Sequence, residues 1–242
     1  MEHPILSKKL LNSELLVFFD LEATQIRHKA IAFAMVCMKK EKGTLLFTDD
    51  KPLTYFTYIK TNEEIGPVVE ELTGIKKETL DEKGIEFHQA VLEITKILRP
   101  YKYKKFLSYG SMDIEILLKT ISEDETEKNF VTNVIKNYLD LHNYFSKRIV
   151  SQKGASYSLK NLADKYNISE EGILHNPLYD SYLLKEIYES YIKNEDKTME
   201  LALENYTVNR YVDEINKELA ASIIINGHAD KSELVKKLEE YL

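Results

Sequence analysis

Asp20 and Glu22 stand where a buried strand is expected to carry only apolar side chains. They end the run Leu15-Leu16-Val17-Phe18-Phe19-Asp20-Leu21-Glu22-Ala23-Thr24. Five consecutive apolar residues mark a strand covered on both faces. Residues two apart on a strand share a face, so the two carboxylates project together, ~7 Å apart along the chain. Two anions at the edge of a core repel each other and are costly to desolvate. A divalent cation is the simplest partner, because hard oxygen ligands suit Mg²⁺ or Mn²⁺. Two further acids share the anomaly. Asp113 opens an expected helix after the strand-like Lys105–Tyr109 and the turn at Gly110. Asp180 lies in the first turn of a helix expected to run through about Lys193, five residues after His175.

The surrounding elements explain why these acids should face inward. The helix after Gly110 is expected to bury Ile114, Leu117, Leu118 and Ile121, and Asp113 lies four residues before Leu117. In His175-Asn176-Pro177-Leu178-Tyr179-Asp180, Asn176 is a natural N-cap and Pro177 suits the first helical position. The stripe of that helix is Leu183, Leu184, Ile187 and Tyr191, which puts Asp180 on the apolar side. Taken singly, an Asp in a first helical turn is usually a dipole-stabilising surface residue. Taken together, the order is distinctive: D-x-E on a strand, an Asp opening a helix, then H-x-x-x-x-D.

FFDLEAT, SYGSMDIEIL and HNPLYDSYLL resemble, in order and spacing, the three motifs of the DEDDh 3′–5′ exonuclease superfamily. That group includes RNase T and the proofreading subunit of bacterial replicative polymerase. ELTGIKKETL, residues 71–80, resembles the family's segment between the first two motifs, and the similarity covers about residues 13 to 193. The Glu-Ala-Thr start and the Gly-x-x-Asp form of the second motif resemble the branch of histone-mRNA 3′ exonucleases and KapD-like bacterial proteins. Ser108, Tyr109, Met112, Pro177 and Ser181 depart from the commoner residues of the motifs.

The resemblance implies roles residue by residue. Asp20, Glu22, Asp113 and Asp180 match the metal-binding acids, and His175 matches the general base. Leu21, Ala23 and Thr24 match positions that hold the terminal nucleotide, and Ile75 and Tyr109 are expected with them to bind substrate. Two divalent ions, Mg²⁺ or Mn²⁺, are implied. Such pairs activate water and stabilise the leaving oxygen at a phosphodiester. An imidazole with a pKa of about 6.5 can take a proton near neutral pH. The implied activity is 3′-end hydrolysis of single-stranded nucleic acid, RNA or short oligonucleotides favoured, releasing nucleoside 5′-monophosphates. Two readings stand beside it: a DNA proofreading or repair exonuclease, and a noncatalytic nucleic-acid-binding regulatory module. Binding alone would not require all five residues.

Composition narrows the field. The chain has 242 residues, few glycines and prolines and a substantial apolar fraction, unlike a disordered protein. It carries no long apolar span and no convincing signal sequence, so a cytoplasmic location and no membrane are expected. The single Cys37 lies in an apolar run and is expected to be a core thiol. The net charge of −7 suits a nucleic-acid binder poorly. Much of it sits in the tail: from Glu195 onward 6 Lys and Arg stand against 11 Asp and Glu. Basic residues cluster as Arg99, Lys102, Lys104, Lys105 and as Lys147, Arg148, Lys153, Lys160.

The element order predicts a three-layer α/β domain with a central mixed sheet; the resemblance makes it RNase H-like. Expected strands are Leu15–Leu21, Ala30–Lys40, Thr44–Thr48, Leu53–Ile59, Lys105–Tyr109 and Tyr138–Leu141, with the second and third paired around Glu41-Lys42-Gly43. Expected helices are Gly66–Leu72, Phe87–Leu98, Asp113–Ser122, Glu127–Lys136, His142–Ile149 and Ser158–Tyr166. Residues 1–194 form the catalytic domain in this reading. Residues 195–242 form an acidic helical extension, with helices near Met199–Leu203, Arg210–Ser222 and Lys231–Leu242. That extension is expected to pack on the domain, on a twin subunit, or on a partner protein.

Overall fold

The computed structural model describes residues 10–48, 51–146, 149, 155–168, 175–194, 196–198 and 200–201. Its centre is β1 (Leu15–Ala23), an antiparallel neighbour of β2 (Ala30–Lys39), which in turn pairs antiparallel with β3 (Leu53–Tyr58). Two helices follow β3: α1 (Pro67–Thr73) and α2 (Lys77–Lys83). Then come α3 (Phe87–Leu98), β4 (Lys104–Ser108), α4 (Met112–Thr120), α5 (Glu125–Lys136), β5 (Tyr138–Asp140), α6 (Leu141–Ser146), α7 (Leu159–Lys165) and α8 (Pro177–Lys193). The sheet order is β3-β2-β1-β4-β5, with β4 parallel to both β1 and β5. This is the mixed α/β sheet of an RNase H-like exonuclease fold.

The central place of β1 explains its unbroken apolar run. Leu15, Val17, Phe19 and Leu21 join Phe33, Met35 and Cys37 in one core with Ala90, Val91 and Ile94 of α3, Leu117 of α4, and Val131 and Val134 of α5. The alternate residues face α8, where Phe18 meets Tyr188 with ring centroids 5.5 Å apart. Asp20 and Glu22 belong to this second face. Their register partners on β2 are Ala34 and Ala32, so small side chains leave room beside the two carboxylates. Burial pushes the Cys37 thiol up to about 12, as befits a core residue.

Several boundaries differ from expectation. β1 runs two residues further than Leu21, so both acids lie within the strand. Thr44–Thr48 is not a strand; it contributes one bridge, Phe47 to Lys40, and the partner of β2 is β3. Lys40 is the reason that turn is held without a ladder. Its buried ammonium donates to the carbonyls of Leu11, Glu41 and Thr44 at 3.2, 3.3 and 3.0 Å. The α4 stripe is rotated from the expected one: Ile116 and Leu117 are buried and Leu118 is exposed. The α8 stripe is as read, with Leu183, Leu184, Ile187 and Tyr191 all buried. Helix α2 has no counterpart among the expected elements.

The chain divides into two compact units, Met1–Tyr144 with Ser158–Glu195, and Phe145–Tyr157 with Asp196–Leu242. Within the second, Phe145, Ile149 and Leu201 are buried. The expected helices Arg210–Ser222 and Lys231–Leu242 lie outside the described residues, as does most of Met199–Leu203. Among the described residues, no helix is long and apolar enough to cross a membrane.

Candidate active site

The carboxylates meet at the carboxyl ends of the parallel strands β1 and β4. Asp20, Glu22 and Asp180 each offer an oxygen within 4.8 Å of the other two. α8 delivers Asp180 because its start is fixed. Asn176 caps the helix by accepting from the backbone N–H groups of Leu178 and Tyr179 at 3.1 and 3.3 Å. Pro177 occupies the first turn. Asp180 is buried and its Oδ2 accepts from the backbone N–H of His175 at 3.1 Å.

Asp113 and His175 are not part of that mutually close trio. Asp113 is buried at the start of α4, where its Oδ1 accepts from the backbone N–H of Leu21 at 3.0 Å. This bond ties α4 to β1 between the two strand acids. His175 has φ 62, in the left-handed region, directly before the helix. Its side chain is exposed.

The electrostatics of the cluster are those of crowded anions. Burial, then the charges of Asp113, Glu22 and Asp180, push the Asp20 carboxyl well above the usual range. Burial and the charges of Asp180 and Asp113 raise Glu22 to about 8. Asp113 rises to about 7 through burial, against the opposing pull of the Ser108 hydroxyl and the Leu21 N–H. Among the described residues, no lysine or arginine forms an ion pair with Asp20 or Glu22. The donor set is all carboxylate oxygen, with room left by Ala32 and Ala34. These residues fit a hard divalent cation, whose charge would remove the repulsion that raises their pKa values.

The five expected nucleotide contacts are spread in character. Leu21 is buried in the core and Ala23 is half-buried. The Thr24 hydroxyl accepts from the Lys29 N–H at 3.0 Å and closes the β1–β2 turn. Ile75 packs with Ile31, Ala32, Ile65 and Leu80. Tyr109 is half-buried, with its ring edge-on to His142 at 5.0 Å between centroids. In the first basic cluster, Lys104 donates to Tyr101 O and Lys105 to Asn137 Oδ1, so two of its cations serve local structure. Lys147, Arg148 and Lys153 lie outside the described residues.

Sequence reasoning missed three groups around Asp113. Ser108 is fully buried at the end of β4, while Tyr138 and Asp140 come from β5, thirty residues on. No local spacing connects them; only the β4–β5 pairing does. A second acid–histidine group, His88, Asp124 and Glu127, also has ligand-type atoms within 4.8 Å. It is explained by helix capping. Asp124 accepts from the N–H groups of Thr126 and Glu127, and Glu127 reaches back to the N–H and hydroxyl of Ser122. The D-x-x-E pattern was the signal for it.

The family model for RNase T exonucleases matches residues 17–188. No curated protein sequence gives a significant match. Solved structures share the fold at low identity. A full-length 3′-exonuclease is 18% identical, with a TM-score of 0.56, covering 76% of this chain and 83% of its own. A 3′-exonuclease described in 3′-end-specific recognition of a histone mRNA stem-loop is 17% identical, with a TM-score of 0.56, covering 75% and 64%. The nuclease domain of 3′hExo, a DEDDh family member bound to rAMP, is 18% identical, with a TM-score of 0.56, covering 75% and 93%. With all three motifs inside the matched span, this chain belongs to the RNase T exonuclease family, the DEDDh group its motifs resemble.

Proposed function

We propose that this nuclease is a divalent-metal-dependent 3′–5′ exonuclease acting on single-stranded ends, RNA or short oligonucleotides in preference, and releasing nucleoside 5′-monophosphates. The observation that carries the reading is the gathering of Asp20, Glu22 and Asp180 within 4.8 Å, with Asp113 fastened to Leu21 beside them. The RNA preference is supported by two structural neighbours, one described with a histone mRNA stem-loop and one with rAMP.

Asp20, Glu22, Asp113 and Asp180 would hold two Mg²⁺ or Mn²⁺ ions. Such ions supply an activated water and neutralise charge at a scissile phosphate. The chain's own residues do the rest. The carboxylates orient a phosphate indirectly by fixing the charge that attracts it. Leu21, Ala23, Thr24, Ile75 and Tyr109 border the place of the terminal nucleotide. His175 takes a proton from the attacking water; its exposed position at a loop–helix junction lets it reach solvent and return.

The test is incubation of single-stranded RNA and DNA with Mg²⁺, Mn²⁺ or a chelator, with chromatography of the products. Nucleoside 5′-monophosphates formed only with metal, faster from RNA, are expected. Products with 3′ phosphates, or equal activity in chelator, would reject the proposal.

A further inference from the structure

The turn that follows the two strand acids carries cations that the carboxylate cluster lacks. From Ala23 to Lys40 the chain has no acidic residue, and Arg27, His28 and Lys29 stand together between β1 and β2. Two sets of bonds fix this turn. Inside it, the Thr24 N–H donates to Lys29 O at 2.8 Å and the Lys29 N–H donates to Thr24 Oγ1 at 3.0 Å. His28, at φ 53, donates its N–H to Thr24 O at 3.1 Å. On the outer side, the Gln25 N–H donates to Ile65 O at 2.8 Å, and Gln25 Oε1 accepts from the Val68 N–H at 3.3 Å. Gly66, at φ 94, lets the Gln25 side chain lie against it, where a Cβ would collide. A turn held this way loses little further freedom when a ligand binds. Its cations are uncommitted. Arg27 is exposed and Lys29 half-buried, and among the described residues neither side chain forms an ion pair or a hydrogen bond. Neither folds back onto Glu22, where it would compete with a metal ion.

We propose that Arg27 and Lys29 hold phosphates on the 5′ side of the scissile bond, so that the β1–β2 turn grips the body of a single strand. The inference rests on the reading of the protein as a 3′ exonuclease. The turn begins two residues, about 7 Å of strand, beyond Glu22. A strand ending in a 3′ hydroxyl has no phosphate beyond its terminal nucleoside. The scissile phosphate belongs to the carboxylates and their metal. Any further phosphate within reach of a fixed cation is therefore an upstream one. The arginine fork suits two phosphate oxygens at once, and the lysine acts as a point charge. Such contacts position the strand and carry no base information, so the grip is independent of sequence.

The experiment measures KM and kcat of the full chain at fixed Mn²⁺ over a range of salt. The substrates are a single-stranded decanucleotide and ApA, whose one phosphate is the scissile one. The variants are Arg27→Ala, Arg27→Lys, Lys29→Gln and Lys102→Gln; the last removes a like charge at the opposite end of the sheet, just before β4. All four keep the backbone bonds that close the turn. On the decanucleotide, Arg27→Ala and Lys29→Gln should each raise KM about tenfold, the scale of one charge-assisted contact, with little change in kcat. The slope of log KM against log salt should fall by about 0.7 for each cation removed. Arg27→Lys should keep the wild-type slope, Lys102→Gln the wild-type KM, and the losses should be absent on ApA. Wild-type KM and slope in Arg27→Ala and Lys29→Gln, an equal rise in Lys102→Gln, or equal losses on both substrates would overturn the phosphate grip and leave the exonuclease reading standing. A wild type that releases no mononucleotide from the decanucleotide would overturn both.

Discussion

At Glu22, burial and neighbouring charge raise the carboxyl to about 8, against about 4.3 in an unfolded chain. Asp113 rises to about 7 by burial. A folded state with raised carboxyl pKa values binds more protons than the unfolded one. Its stability contribution is complete below the unfolded values and is lost as pH rises through the folded ones. Metal-free protein should therefore melt at progressively lower temperature between about pH 4 and pH 8. Saturating Mg²⁺ or Mn²⁺ should restore the loss by binding the anionic form. Scanning calorimetry with and without chelator checks this, and a melting temperature indifferent to both pH and metal would oppose it. Substitution separates the roles further. Asp20→Asn should weaken metal binding and activity together. His175→Ala should keep metal binding and slow hydrolysis by about 10² to 10⁴. Full activity of purified His175→Ala across neutral pH would remove the base assignment.

The elements that aim these side chains are held by bonds that can be tested separately. Thr120, at the far end of α4 from Asp113, accepts from the buried Ala30 N–H at 2.8 Å and donates to Ile116 O. Thr120→Val leaves that N–H without an acceptor, at a cost of about 1–3 kcal/mol. Denaturant unfolding should show the loss, while Mn²⁺ affinity stays near wild type. Asn176→Ala removes the cap of α8, at a cost of about 1 kcal/mol. Because Asp180 lies in the first turn, that smaller loss should carry the larger fall in metal affinity; the reverse ranking would argue against helix-start control of the site. The sequence reading found these elements where local signals were strong: the five-residue apolar run in β1, the Asn176-Pro177 cap, the α8 stripe. It failed where the signal was tertiary. α2 buries only Leu80 and otherwise reads as a charged linker. Thr44–Thr48 has strand-like residues, but the ladder beside β2 is taken by β3. Ser108, Tyr138 and Asp140 meet only through the β4–β5 pairing, which no spacing announces.

For the whole molecule, the tail from Glu195 is acidic and follows the third motif in the sequence, which suggests a role other than phosphate binding. Leu219, Ile223, Ile224, Leu234 and Leu238 are apolar residues that a folded tail must cover. Deleting Glu195–Leu242 should lower the melting temperature or change the oligomer mass, while a soluble truncation keeps residual nuclease activity. Unchanged melting and mass, with loss only of binding to a cellular protein, would make the tail a recruitment segment. The reading of the molecule as an end-directed nuclease is tested most directly by polarity. Matched single-stranded RNA oligonucleotides, labelled at the 5′ or the 3′ end, are followed over time with Mn²⁺. Immediate release of the 3′ label as mononucleotide is expected, with a descending ladder from the 5′-labelled strand. Early release of the 5′ label, or rapid cutting of a covalently closed circle, would contradict the account.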